Sequence, residues 1–261
     1  MGMAETKEVL AFAVELGDQL LRNGGEVYRV EDTVLAIMQA YDVEDFDVYV
    51  LSNGIFASAN EQREDACSMV RHVPLAGYHL TKVDKLNQIS RDVCAHVIDL
   101  DEAWKQLKAA RELPEVGILT RMFFGGLGSG CFTLMFGGGP FEAVAAFIIG
   151  FIVQHILEML NRSSVSKFMG IVLCSIMIAV LTLVLLFFGL GPNYHTTIIG
   201  SIMPLVPGIA LTTSIRDLNN GDYLSGTIHL IDALMTALCI AAGVGVVIIL
   251  ATSYLGGILP L

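Results

Sequence analysis

Three observations predict an α-helical polytopic membrane domain of five transmembrane helices, preceded by a small α+β cytoplasmic domain. The chain of 261 residues is 54% hydrophobic, with a mean hydropathy of +0.65. Its charges are unevenly placed: residues 1–117 carry 11 basic and 21 acidic residues, a net charge of −10, whereas residues 118–261 carry 4 and 5, a net charge of −1. An acidic, water-soluble part is thus followed by an apolar part, divided here as 1–113 and 114–261. The apolar part holds five segments near 118–136, 141–159, 168–189, 194–214 and 228–253, each close to the roughly 20 residues that cross a hydrocarbon core.

In the soluble part, Val9, Phe12, Ala13, Leu16 and Leu20 form a helical stripe over residues 5–22, which Asn23-Gly24-Gly25 closes with good C-cap chemistry. Glu26 opens a second helix that runs to about Tyr41, with acidic residues in its first turns to suit the helix dipole. Phe46, Val48 and Val50 alternate with polar neighbours as in a strand, and Asn53-Gly54 signals a hairpin into Ile55–Ala59. A third strand is expected over 66–73, then helices near 80–97 and 99–111. Strands that follow one another directly favour an antiparallel sheet with flanking helices.

The spans are oriented by their flanking charges. Lys105, Lys108, Arg111 and Arg121 precede or open span one, Arg162 and Lys167 lie between spans two and three, and Arg216 lies between spans four and five. The alternate loops and the tail after Ser253 have no basic residue. The positive-inside rule therefore puts the N-terminal domain in the cytoplasm and the C-terminus outside the cell (inner) membrane. No apolar signal-peptide core adjoins the acidic N-terminus, so none is expected.

Composition also excludes some functions. A net charge of −11 repels nucleic acid. The five cysteines have no metal-ligand spacing and read as reduced thiols. Gly125-Gly126-Leu-Gly128-Ser-Gly130 lacks the Lys-Ser/Thr of a phosphate loop. No cofactor and no metal are expected. Ser52-Asn53-Gly54 with His72 or His79 hints at a hydrolase, but no nucleophile-elbow motif supports one.

The chemistry-bearing stretch is Pro204 to Gly226. Pro204, Pro207 and Gly208 should break span four, and broken backbone in a bilayer is tolerated only against protein or a water-filled cavity, where transporters place their substrate. A proline kink used for packing is the alternative. Beyond the break lie Thr212, Arg216, Asp217 and Asp222. Ionisable groups within spans are functional candidates. His155 and Glu158 near the end of span two, and His229 and Asp232 at the start of span five, are each three residues apart and share a helix face. Glu158, His229 and Asp232 are candidates for proton coupling, with Asp232 a possible partner of Arg216; a plain interfacial position explains each pair as well. In the soluble part, Gly25, Glu26, Arg29 and Glu31 cluster at one helix start, where a solvated face is the ordinary outcome.

Two of these stretches carry a resemblance. Asn23-Gly24-Gly25-Glu26-Val27-Tyr28-Arg29-Val30-Glu31 resembles the G-[AG]-E-x-x-R-V-E signature of the threonine/serine exporter family. Pro207-Gly208 to Thr212, with Arg216-Asp217-Leu218-x-x-Gly221-Asp222-x-x-Ser225-Gly226, resembles that family's membrane signature. The resemblance implies a membrane exporter of small amino acids. A chain with one membrane half resembles the larger subunit of a split system, similar to two-component succinate exporters. The expected partners are a small-molecule substrate, the lipid bilayer, and further copies of the chain or a smaller multi-span subunit. Small-residue surfaces at Gly126–Gly130 and Gly243–Gly245 would suit such contacts or packing within the chain. A membrane-anchored hydrolase-like enzyme and a scaffold for a separate pore protein stay open as rival classes.

Overall fold

The computed structural model describes residues 3–59, 66–74, 77–163, 165–188 and 193–255. They form ten α-helices, one 3-10 turn and a three-stranded sheet, grouped in two compact units. The first unit joins residues 1–115 to residues 212–230, and the second joins 116–211 to 231–261. Residues 212–230 hold the polar ends of two helices, and Arg216 and Ser225 among them bond to Glu26 and to the Ser52 amide of the first unit.

The first unit begins with α1 (Met3–Arg22), whose Val9, Phe12, Ala13 and Leu16 are fully buried. Gly24 adopts φ +88° and the Gly25 amide donates to Leu20 O at 2.8 Å, so the glycine pair turns the chain out of α1 as the sequence predicts. Helix α2 (Val27–Ala40) buries Val27, Val30, Val34, Ile37 and Met38. Strands β1 (Phe46–Leu51), β2 (Gly54–Ala59) and β3 (Cys67–His72) make an antiparallel sheet in the order β1-β2-β3. Leu51 pairs with Gly54, which makes Ser52-Asn53 a two-residue hairpin loop. Ile55, Ala57 and Ala59 of β2 face the core.

Helix α3 spans Leu80–Cys94 and α4 spans Leu100–Arg111. Asp99 caps α4 by accepting from the Glu102 amide at 2.8 Å. Helix α3 stops three residues short of the expected 97, where His96 takes φ +53°. Trp104 of α4 meets Phe12 edge to face, with ring centroids 5.3 Å apart.

The second unit starts with α5 (Ile118–Met135), α6 (Pro140–Asn161) and α7 (Lys167–Phe187). It continues with α8 (Tyr194–Ile202), a 3-10 turn at Met203–Leu205, the start of α9 (Gly208–Asn219) and most of α10 (Tyr223–Leu255). Helices α5, α6, α7 and α10 are each long and apolar enough to cross a membrane. The expected span four is broken: Tyr194–Leu205 and Gly208–Asn219 meet at a 57° bend, so among the described residues the count is four, or five if the bent pair crosses as one. The break falls at Pro204, Pro207 and Gly208, where proline removes amide donors. Helix α10 starts earlier than the expected 228, because the nearest helix-breaking turn is Gly221 at φ +90°.

Small residues let α5 approach α6 closely: a Cβ on Gly126 would lie 2.7 Å from Phe147 O. Gly243 meets Val172 O of α7 in the same way, whereas nothing lies within 4 Å of a Cβ on Gly128 or Gly245. Many large apolar side chains on these helices, including Leu119, Phe123, Phe141, Ile152, Leu238 and Ile249, are exposed in the protein alone. A lipid-facing surface looks like this, and the chain is read as a multi-pass membrane protein.

Candidate functional site

The first unit brings the soluble signature together with the part of the membrane signature from Thr212 to Gly226. Glu26 is the N-cap of α2, yet its side chain makes no cap hydrogen bond. Its Oε1 instead accepts a hydrogen bond from Arg216 Nη1 of α9, a contact between residues 190 positions apart. The Arg216 guanidinium also lies 5.9 Å from the centre of the Tyr28 ring, within cation–π range. Arg29 stands 4.0 Å from Glu26 on the other side, at the limit of an ion pair. Bonding to Glu26 holds the Tyr28 hydroxyl above its ordinary pKa.

Glu31 faces the sheet, and its Oε2 accepts from the Val50 amide at 3.1 Å. Burial pushes the Glu31 carboxyl up; the bond from Val50 opposes this, and the charges of Asp222 and Asp32 add to it. Asp222 lies in the turn between α9 and α10. Burial and the neighbouring Asp217 push its carboxyl up as well. Burial is thus the main force holding each of these carboxyls against ionisation, with a neighbouring acid adding to it.

Asp217 is the most enclosed acid of the group, at 0% exposure. Its Oδ2 lies 3.0 Å from Nδ1 of His229 on α10, while Oδ1 has no hydrogen-bond partner. A carboxylate only accepts, so His229 Nδ1 carries the proton of this bond. Ser214 Oγ donates to Gly226 O at 2.8 Å, and Ser225 Oγ accepts from the Ser52 amide at 3.1 Å. These bonds join the α9–α10 corner internally and to the β1–β2 hairpin.

A cavity of about 50 Å³ opens among these groups, lined by Glu26, Ser52, Tyr78, Thr213, Arg216 and His229 with the glycine turn after α1. Two polar atoms beside it are buried without a partner, Ser52 Oγ and Arg216 Nε. Ser52, Tyr78 and Thr213 were not singled out as binding residues in the sequence. Ser52 stood out only as a weak nucleophile candidate, and no motif links it to Arg216.

The other sequence candidates lie elsewhere. Pro204 is in the 3-10 turn, and Pro207 and Gly208 form the junction into α9, with Thr212 on the first turns of that helix. The Gly208 amide donates to Val206 O at 2.8 Å, and nothing lies within 4 Å of a Cβ placed on Gly208. No backbone among the described residues therefore requires glycine there. Lys167 at the start of α7 donates to both Asp232 oxygens, at 2.7 and 2.6 Å, within the second unit. Glu158 accepts from Arg121 at 3.1 Å and from Arg162 at 3.2 Å. Although His229 and Asp232 are three residues apart, they engage different partners. Gly25 belongs to the turn, where a Cβ would stand 2.8 Å from Leu20 O.

The cluster is chemically suited to holding a small charged solute: it offers a guanidinium, a hydroxyl, an imidazole and enclosed carboxyls, all borne on helix ends and a hairpin. No curated protein and no solved structure matches the chain. The ThrE family model, described as "Putative threonine/serine exporter", matches residues 11–251, and the chain belongs to this threonine/serine exporter family.

Proposed function

We propose that the chain is a secondary-transporter subunit that exports a small polar metabolite, either serine or threonine or a short dicarboxylate such as succinate. The observation that carries this reading is the meeting of the two signatures in one polar cluster, where Glu26 pairs with Arg216 and Asp217 with His229. Polar groups enclosed at helix ends bordering apolar spans are expensive to keep and are retained where solutes or protons pass. The broken helix at Pro204, Pro207 and Gly208, with Thr212, Arg216, Asp217 and Asp222 beyond it, is the proposed solute path. The proton gradient is the proposed driving force, since no nucleotide loop is visible in the sequence; Asp232, His229 and Glu158 are its candidate carriers. The working unit is an oligomer of this chain or a complex with a smaller multi-span subunit. It sits in the inner membrane with the N-terminal domain cytoplasmic and the C-terminus external.

Counterflow in proteoliposomes tests the reading, using labelled serine, threonine and succinate with and without the candidate smaller subunit. Accumulation of at least one label against preloaded unlabelled solute is expected. Absence of counterflow for all three, in both preparations, refutes it. Reporter fusions after Pro114 and Leu261 test the orientation, and a cytoplasmic signal at Leu261 would mean that the chain crosses the membrane an even number of times rather than five.

A further inference from the structure

We propose that the small cavity of the first unit binds the carboxylate group of the solute, held by Ser52 Oγ and Arg216 Nε. This deepens the transport reading and rests on it. Two features point to an anion. Ser52 is 6% exposed, and its hydroxyl has no partner although it lines the cavity. A buried hydroxyl without a partner costs free energy unless something binds it. Arg216 uses Nη1 on Glu26, which fixes the guanidinium and leaves its buried Nε–H unpartnered beside the same space. His229, oriented by Asp217 through Nδ1, lines the same cavity.

Size agrees. A water-sized group needs about 10–15 Å³ of such space. A cavity of about 50 Å³ therefore holds roughly three to five such groups, which suits a carboxylate with its α-carbon. The arrangement is also supported from behind. Ser225 fixes the Ser52 amide, and Glu26 and Tyr28 fix Arg216, so the donors are preorganised. None of these supports is consumed by a ligand.

The test measures binding to the full chain in lipid nanodiscs with labelled L-serine and labelled succinate, alongside counterflow. L-Serinamide, which keeps the ammonium and hydroxyl but has no carboxylate, serves as competitor. The Ser52→Ala variant should weaken binding of the carboxylate solute by about tenfold or more, the loss expected for one hydrogen bond to a charged group. Its melting temperature should not fall, because Ser52 Oγ bonds to nothing in the fold and the Ser52 amide still reaches Ser225. Arg216→Lys keeps a cation opposite Glu26 but removes Nε–H, and should also lose binding. Serinamide should compete at least tenfold more weakly than serine. If Ser52→Ala binds and transports like the parent, or if serinamide competes as well as serine, this site is overturned while the transport reading stands. If the parent neither binds nor transports serine or succinate, both fall together.

Discussion

Replacing His229 by alanine should destabilise the first unit more than any surface change. Asp217 is fully enclosed, and among the described residues the His229 ring provides its one side-chain hydrogen bond, 3.0 Å from Oδ2. Its Oδ1 is already without a partner. Removing the ring therefore leaves a buried carboxyl with neither oxygen bonded. Breaking a buried pair from one side costs about 3–5 kcal/mol. The His229 side chain is 16% exposed, so water reaches the vacated space and the lower value, about 3 kcal/mol, applies. For a chain of this size that is a fall of about 6–12 °C in melting temperature. The single tryptophan, Trp104, lies in the first unit against Phe12, so its fluorescence reports the melting of that unit in the full detergent-solubilised protein. The double variant Asp217→Ala/His229→Ala should recover part of the loss, because the stranded carboxyl is gone. A His229→Ala protein that melts within about 2 °C of the parent, with no recovery in the double variant, refutes the reasoning.

In the second unit, Gly200→Ala should cost about 1–3 kcal/mol by overpacking, since its Cβ would lie 1.9 Å from Thr133 Oγ1 and 2.8 Å from Thr133 Cα; a melt unchanged from the parent would mean that α5 and α8 separate readily. Gly208→Leu should insert and fold normally, because a Cβ there meets nothing within 4 Å, yet abolish counterflow by crowding the broken helix; parental transport would reduce the break to a packing kink. Asp232→Asn, which takes the charge from the Lys167 pair, should change the pH dependence of transport, and an unaltered pH profile would remove Asp232 from proton coupling. Glu31 and Asp222 both have raised carboxyl pKa values, so the stability they contribute is full below the ordinary carboxylate range and is lost as pH rises through their folded values. Glu31→Gln, whose amide oxygen still accepts from Val50, should flatten that fall in the Trp104 melt; a steeper fall would contradict the sign.

Local patterns made the elements readable. The stripe through Val9, Phe12 and Leu16, the glycine pair after α1 and the hairpin signal at Asn53-Gly54 each act through neighbours a few residues away, and the hairpin forms with its loop at Ser52-Asn53, one residue earlier than the signal. Pro204 and Pro207 likewise announce their break because missing amides have a local effect. The pairings were not readable. Arg216 and Glu26 are 190 residues apart, and neither periodicity nor charge spacing says which acid an arginine meets. Asp232, three residues from His229 and sixteen from Arg216, invited two partners in sequence; Lys167 on α7 takes it instead.

The same limit explains why the cavity was hidden while its residues were in view. Glu26, Arg29 and Glu31 on a helix start read as a solvated face, and for Arg29, largely exposed, that description holds. Glu26 and Glu31 differ because the α9–α10 corner and the β1–β2 hairpin supply partners for them. In the sequence Arg216 reads both as a charge that marks the cytoplasmic side of a span and as a substrate-binding candidate beyond the broken helix. It can hold both roles and still fix Glu26, because one guanidinium presents several donors in a rigid fork. One of those donors is spent on Glu26 and another is left buried without a partner. Ser52 follows the same logic in reverse: its amide is engaged and its hydroxyl is not. A nucleophile would need a base within reach to activate the hydroxyl. Ser52 Oγ has no hydrogen-bond partner among the described residues, so neither the His229 ring nor the Glu26 carboxylate that lines the cavity with it is bonded to the hydroxyl as an activating base would be.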